Sequence, residues 1–248
     1  MDAGLPGATI GLFTTRRGGY STGPWAEFNL AGHVADDPPA VRANRALLSR
    51  HLGAVALLWP DQVHGRGVID VDAELVARLG GASEGGVGEA DALVTSVAGV
   101  ALGVLVADCM PVLLADPFHG VVGSAHAGRR GLAAGVLDAT VDAMEAAGAV
   151  ASQITAIIGP AICGGCYEVP AAMRAEVSAV IPECATTTRD GKPALDLPAG
   201  ALACLRARGV STVRRIELCT REDPRFYSYR RDRRTGRFAG VAMVGTDV

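Results

Sequence analysis

Residues 100–128, VALGVLVADCMPVLLADPFHGVVGSAHAG, constrain this chain more than any other segment. They are apolar almost throughout and broken only at Asp108-Cys109 and over Asp116–Gly120. Short apolar runs between turn signals are strands buried on both faces. PVLLAD and VVGSAH therefore read as two buried strands joined by a tight turn over Asp116–Gly120. With Asp116 paired to Gly120, His126 falls opposite Met110 and beside Cys109. A slip of one residue puts His126 directly opposite Cys109. Either register makes a thiol and an imidazole, 17 residues apart in sequence, neighbours in space.

The flanking segments extend the pattern. Residues 8–15 (ATIGLFTT) read as a strand before a turn at Arg16–Gly19, and 39–52 as a helix with Pro39 in its first turn. A strand lies on each side of Pro60, and residues 80–90 are a glycine-rich loop before ADALVTS. Residues 128–149 read as one amphipathic helix whose N-terminal amides face the site of His126 and receive an anion. ITAIIGPAI is a further buried strand, and residues 170–180 and 196–208 are helices. VRRIELCT, RFYSYRR and GRFAGVAMV read as strands, the last two forming a hairpin over Asp232–Gly236. Neither a low-complexity linker nor a fixed-period repeat divides residues 1–248, so the expectation is one domain.

Hydrophobic residues make up 49% of the 248, enough for a large core, but aromatics only 4%, so that core is aliphatic. The net charge of −3 gives no global reason to bind nucleic acid. Residues 1–12 lack a basic region and a long apolar core, and the run Val97–Val106 is too short to span a bilayer. These features point to a cytoplasmic protein without a membrane partner, whose six cysteines serve as free thiols, ligands or catalytic groups.

Three short segments carry candidate chemistry: PDQVHG at 60–65, ADCMP at 107–111 and GSAHAGRRG at 123–131. They supply His64, Cys109 and His126, each at a strand end. Two imidazoles and a thiol suit a borderline-soft cation such as Zn²⁺, and Cu²⁺ would bind them adventitiously. Three protein ligands leave one coordination position open for chemistry. A metal-free reading competes, with Cys109 as nucleophile and His126 as its base. Asp108 either orients an imidazole and carries a proton, or is a strand-end carboxylate satisfied by backbone amides. Arg16, Arg45, Arg129 and Arg130 flank these motifs and are candidates to hold an anion. Arg230 and Arg231, on alternating faces of a strand, belong to a basic stretch at 228–237 that reads as a solvated face. Cys163 and Cys166 form a CxxC with no second CxxC to complete a zinc site, and read as two ordinary thiols in a glycine loop.

Together these segments resemble the laccase-domain proteins, also called polyphenol oxidases or multifunctional purine nucleoside phosphorylases. The resemblance runs nearly end to end, through FTTRRGGYS, FNLAGHVADD, VRANRALL, QVHG, ADALVT, ADCMPVLLADP, AHAGRRG, IGPAI followed by CYEV, ELCT and FYSYRR with TGR. It implies an α+β fold, a four-layer α/β/β/α sandwich with mixed sheets. It implies zinc on His64, Cys109 and His126. Beside that trio, Asp108 is the candidate proton carrier, and Arg45, Gln62 and Arg130 are the candidate substrate-binding residues. The resemblance also implies a monomer or weak homodimer acting on purine nucleosides and phosphate, by phosphorolysis of adenosine, inosine, guanosine and methylthioadenosine and by deamination of adenosine. Two other readings remain beside it: a zinc amide hydrolase editing wrongly loaded UDP-muropeptides, and a metal-binding regulatory protein. The chain departs from the family at Arg129, where the family usually has tryptophan, and at Gly200, where it tends to have asparagine. Laccase chemistry proper needs about ten histidines, commonly in HxH pairs. This chain has five and no HxH.

Overall fold

The computed structural model describes residues 1–79 and 86–246. Its strands are β1 (Thr9–Phe13), β2 (Ala56–Asp61), β3 (Val68–Asp70), β4 (Gly86–Glu89), β5 (Ala92–Thr95), β6 (Val100–Val106), β7 (Met110–Asp116), β8 (Val121–Ala127), β9 (Thr155–Ile158), β10 (Ala185–Thr187), β11 (Pro193–Leu195), β12 (Thr212–Arg215) and β13 (Phe238–Val244). The helices are α1 (Pro38–Leu52), α2 (Ala73–Leu79), α3 (Arg129–Ala133), α4 (Val136–Ala146), α5 (Ala171–Val180), α6 (Leu197–Ala207) and α7 (Tyr229–Asp232). Residues 80–85 of the expected glycine loop lie outside the described residues, and Gly86–Glu89 of the rest form β4.

A five-stranded mixed sheet, ordered β1-β13-β6-β2-β4, faces a six-stranded mixed sheet, ordered β12-β9-β7-β8-β5-β3. Side chains alternate across each strand, so neighbouring residues enter different layers. Leu58, Leu102, Leu113, Val122 and Phe13 fill the space between the sheets. Leu57, Trp59, Ala101 and Leu105 instead turn outward and pack with Leu48 and Leu52 of α1. Val112, Leu114 and Ala125 turn outward from the other sheet and pack with Leu137 and Val141 of α4 and Ala201 and Leu205 of α6. The result is the expected α/β/β/α sandwich. Burying both faces of both sheets is why β6, β7 and β8 read as continuous apolar runs; each full burial of a leucine-sized side chain contributes roughly 1.5–3 kcal/mol.

Three local expectations are corrected. The β7–β8 hairpin pairs Asp116 with Val121 rather than Gly120, so Met110 faces Ala127 and Pro111 faces His126. Buried Asp116 makes the longer turn stable: its carboxylate accepts the amides of Phe118 and His119 and bonds the His119 ring at 2.7 Å. The helix expected over 128–149 is two helices, because Gly135 at φ 86° ends α3 and starts α4 on a new axis. RFYSYRR is not a strand and makes no hairpin with β13, which pairs with β1 and β6. Ser228 caps α7 there, accepting from the Arg231 amide at 3.2 Å, and local capping wins over strand propensity.

The chain passes from the five-stranded to the six-stranded sheet three times in succession, by β2→β3, β4→β5 and β6→β7. His64, Asp91 and Cys109 each sit in one of these crossovers. Among the described residues no helix is long and apolar enough to cross a membrane.

Candidate metal centre

The crossovers converge at the end of β8, where His126 is the penultimate residue. Ligand atoms of His64, Cys109 and His126 lie within 4.8 Å of one another. The Cys109 Sγ stands 4.0 Å from His64 Nε2, and the two imidazoles meet edge to face with centroids 4.7 Å apart. His64 is exposed and held at φ 59°, Cys109 is half-buried, and His126 is only 3% exposed. Gly128 lets the trio close: a Cβ there would stand 2.9 Å from Cys109 Sγ and 3.1 Å from the His64 ring.

Asp91 organises the centre, and the motif reading missed it. It is fully buried, yet its carboxylate is fully used. Oδ1 bonds His126 Nδ1 at 2.7 Å and accepts the His64 amide at 3.0 Å; Oδ2 accepts the amides of Gly65 at 2.6 Å and Val63 at 3.3 Å. One carboxylate thus curls the 63–65 loop that presents His64 and places the proton of His126 on Nδ1, leaving Nε2 free to ligate. Burial alone would push the Asp91 carboxyl up; the His126 hydrogen bond and the Gly65 and His64 amides outweigh it and hold it below the usual value. In sequence it is an acid between Ala90 and Ala92 in the ADALVT motif, an otherwise buried segment, with nothing along the chain to mark its role.

Burial also works against the Cys109 thiolate, but His126 and His64 overcome it and bring the thiol down to about 6. Burial lowers His126, and the Cys109 thiolate with Asp91 overcomes this, raising it to about 9. The donor set fits a borderline-soft cation: one thiolate, one imidazole fixed by a carboxylate and one exposed imidazole. Without metal, Cys109 is expected to be a reactive thiolate above pH 6 and to lose that reactivity as pH falls through 6. Iodoacetamide labelling of chelator-treated protein, read at Cys109 across pH 5–9, checks this. An ordinary midpoint near 8.5 would contradict it.

Two clefts meet at Ala107, Cys109 and Tyr229. The larger, about 650 Å³, reaches His64 and His126 and is walled by Trp59, Arg45, Gln62, His33 and Arg237. The smaller, about 460 Å³, carries the guanidinium groups of Arg129, Arg230 and Arg233 around Tyr167 and Asp108.

Of the substrate and proton-transfer candidates, Arg45 does line the larger cleft. Its Nε donates to the Leu30 carbonyl and its guanidinium carbon lies 5.2 Å from the Trp59 ring centre. Gln62 lines the cleft too, but its amide is occupied at both ends by the Leu105 backbone, at 2.9 and 2.8 Å. It ties the crossover to β6 rather than offering free polar groups. Arg130 is exposed and lines neither cleft, whereas its neighbour Arg129 lines the smaller one. The expected anion seat on a long helix is also lost, since α3 has five residues. Asp108 lines the smaller cleft, with both carboxylate oxygens engaged. At φ 90° it accepts the Thr220 hydroxyl at 2.7 Å on Oδ1 and the Arg230 amide at 2.6 Å on Oδ2, seating α7. Arg230 and Arg231 separate by helix geometry: Arg230 faces the smaller cleft, while Arg231 donates to the carbonyls of Thr220 and Phe226. The space beside Gly200 is filled by Cys184, whose Sγ lies 2.2 Å from where a Cβ would stand.

The whole chain compares closely with known proteins. It is 50% identical over 244 residues to a purine nucleoside phosphorylase of Streptomyces griseus, covering 98% of this chain and 97% of that protein. A purine nucleoside phosphorylase of Streptomyces coelicolor is 51% identical over 240 residues, covering 96% of each. Among solved structures, Neisseria meningitidis protein NMB0706 superposes with a TM-score of 0.87 at 36% identity, covering 99% of this chain and 98% of that one. YlmD from Geobacillus stearothermophilus does so at 0.88 and 33%, covering 96% and 92%. The model described as multi-copper polyphenol oxidoreductase laccase matches residues 10–245, and the chain therefore belongs to that family.

Proposed function

We propose that this protein is a zinc-dependent purine nucleoside phosphorylase, with adenosine deamination as a second activity of the same centre. The observation that carries the reading is the meeting of two unlike clefts beside Cys109. Phosphorolysis needs a nucleoside and an anion brought together. The larger cleft has a ligand-sized volume and a partly aromatic wall for the nucleoside. The smaller has three guanidinium groups for phosphate. Its purine-nucleoside relatives cover nearly the whole chain.

In this reading Arg129, Arg230 and Arg233 hold phosphate so that one oxygen approaches C1′ of the ribose. The new C1′–O bond forms as the C1′–N9 bond breaks, and the electron pair leaves with the purine, which takes up a proton. His64, Cys109 and His126 would hold zinc, with His126 Nδ1 already engaged by Asp91. When bound, zinc supplies a Lewis acid and lowers the pKa of water, which is the chemistry deamination at C6 of adenine requires.

Assays of base release from inosine with and without phosphate, and of ammonia from adenosine, test the proposal. Base release that ignores phosphate, or hydrolysis of a serine-loaded UDP-muropeptide in its place, would overturn it. Arg129 supplies a finer check. Tryptophan at this position would favour nucleoside binding only if the base lay on that wall, and the present assignment puts the base in the other cleft. Arg129→Trp should therefore raise KM for phosphate about tenfold, the worth of one charge-assisted hydrogen bond, and leave KM for inosine within about twofold. An unchanged phosphate KM would remove Arg129 from the anion site.

A further inference from the structure

The CxxC at 163–166 has neighbours in the fold that the sequence does not show. The fold brings Cys219 and Glu222, more than fifty residues away, against it, and ligand atoms of all four side chains lie within 4.8 Å of one another. We propose that Cys163, Cys166, Cys219 and Glu222 form a second metal site, closed and structural, that takes one zinc ion or a cation of like softness.

The donor chemistry points to such an ion. Zinc at about 2.3 Å from each of three thiolates sets the sulfurs about 3.8 Å apart, a spacing that small rotamer changes reach from the observed one. Four protein donors complete a tetrahedral shell, so this site lacks the open position of the first. The turn at Cys163–Cys166 is preformed, since both the Cys166 and Tyr167 amides donate to the Cys163 carbonyl at 2.9 and 3.0 Å. The second loop is docked on the first: Ala161 and Cys219 form a parallel bridge, and the Cys163 amide points at Cys219 Sγ at 3.4 Å. The Cys166 thiol donates to Glu222 Oε1 at 3.4 Å. On coordination the three thiols release their protons to solvent, and sulfur–metal bonds replace the S–H bonds. Arg189, paired with Glu222, and Arg221, which donates to the Cys166 carbonyl, offset part of the ligands' negative charge.

The placement suits a clamp. The first loop carries Ile162 and Tyr167 into the smaller cleft. The second carries Thr220, whose hydroxyl holds Asp108. A shared ion ties both loops together on the flank of that cleft.

Native mass spectrometry and elemental analysis, on protein purified from zinc-replete cells without chelator, test the proposal. The expected result is two zinc ions per wild-type chain, one in Cys109→Ala and one in Cys166→Ser. Glu222→Gln changes an exposed group and spares the fold; it should weaken the second ion about tenfold or more in chelator competition. In the Cys109→Ala background, one equivalent of cobalt(II) should give tetrahedral d–d and thiolate charge-transfer absorption. This reads the site even if Cys166→Ser folds poorly. A wild-type chain with a single zinc ion that Cys109→Ala removes would overturn the proposal. So would a disulfide between any two of the three cysteines in freshly prepared protein.

Discussion

Asp91→Ala is expected to lower the stability of the metal-free protein by about 3–5 kcal/mol, the usual consequence of removing one partner of a buried ionic hydrogen-bonded pair. The variant leaves the amides of Val63, His64 and Gly65 without their acceptor and His126 without the group that fixes its proton. For a chain of this size the melting temperature should fall by roughly 6–20 °C. Comparison with chelator-treated wild type separates this loss from any effect of the metal. Affinity at the His64–Cys109–His126 centre should drop about 100-fold, because the carboxylate positions two of its three donors. Asp91→Asn keeps one oxygen acceptor but turns an NH₂ group toward backbone N–H groups, so it should fall between the two proteins. A melting temperature within about 2 °C of wild type would show that the buried carboxylate does not hold the loop.

Cys109→Ala should remove one equivalent of metal and lower kcat/KM for adenosine deamination by about three orders of magnitude, the loss of several kcal/mol of stabilisation that a bound metal and its water would supply at C6. The fold should survive. Cys109 lies in a crossover and is only half-buried at the edge of the cluster of Val106, Phe226, Tyr227 and Phe238, so a shorter side chain leaves the sheet layers intact. Near-ultraviolet circular dichroism establishes the fold, and metal analysis with steady-state kinetics measures the rest. Full zinc occupancy and wild-type turnover in this variant would remove Cys109 from both the metal centre and the reaction.

The extent of each reading followed the range of the interactions behind it. β6, β7 and β8 were legible because a strand buried on both faces leaves an uninterrupted apolar run. Helix α1 was legible because Pro39 suits its first turn and its apolar residues recur at helical spacing. The β7–β8 register was misread by one residue because Asp116 makes turn contacts that no alternation of apolar residues encodes. α7 was misread as a strand because Arg230 and Ser228 are held by partners, Asp108 and the Arg231 amide, whose geometry exists only after folding.

The trio of His64, Cys109 and His126 could be picked out along the chain because rare, chemically distinctive side chains stand at strand ends, and the family's motifs repeat the same residues. Asp91 was not, although it stands in the ADALVT motif, because aspartate is common and its role is set only by what it accepts: three amides and an imidazole brought to it by another crossover and by β8. Cys219 and Glu222 stayed hidden for the same reason, since a CxxC read along the chain has two thiols and acquires its third and fourth donors only when β12 lies beside β9. Composition and periodicity determine layers, which are local and repetitive. Tertiary structure alone decides which polar groups converge, because hydrogen bonds and coordination depend on ångström distances between segments that hydrophobic burial has already packed together.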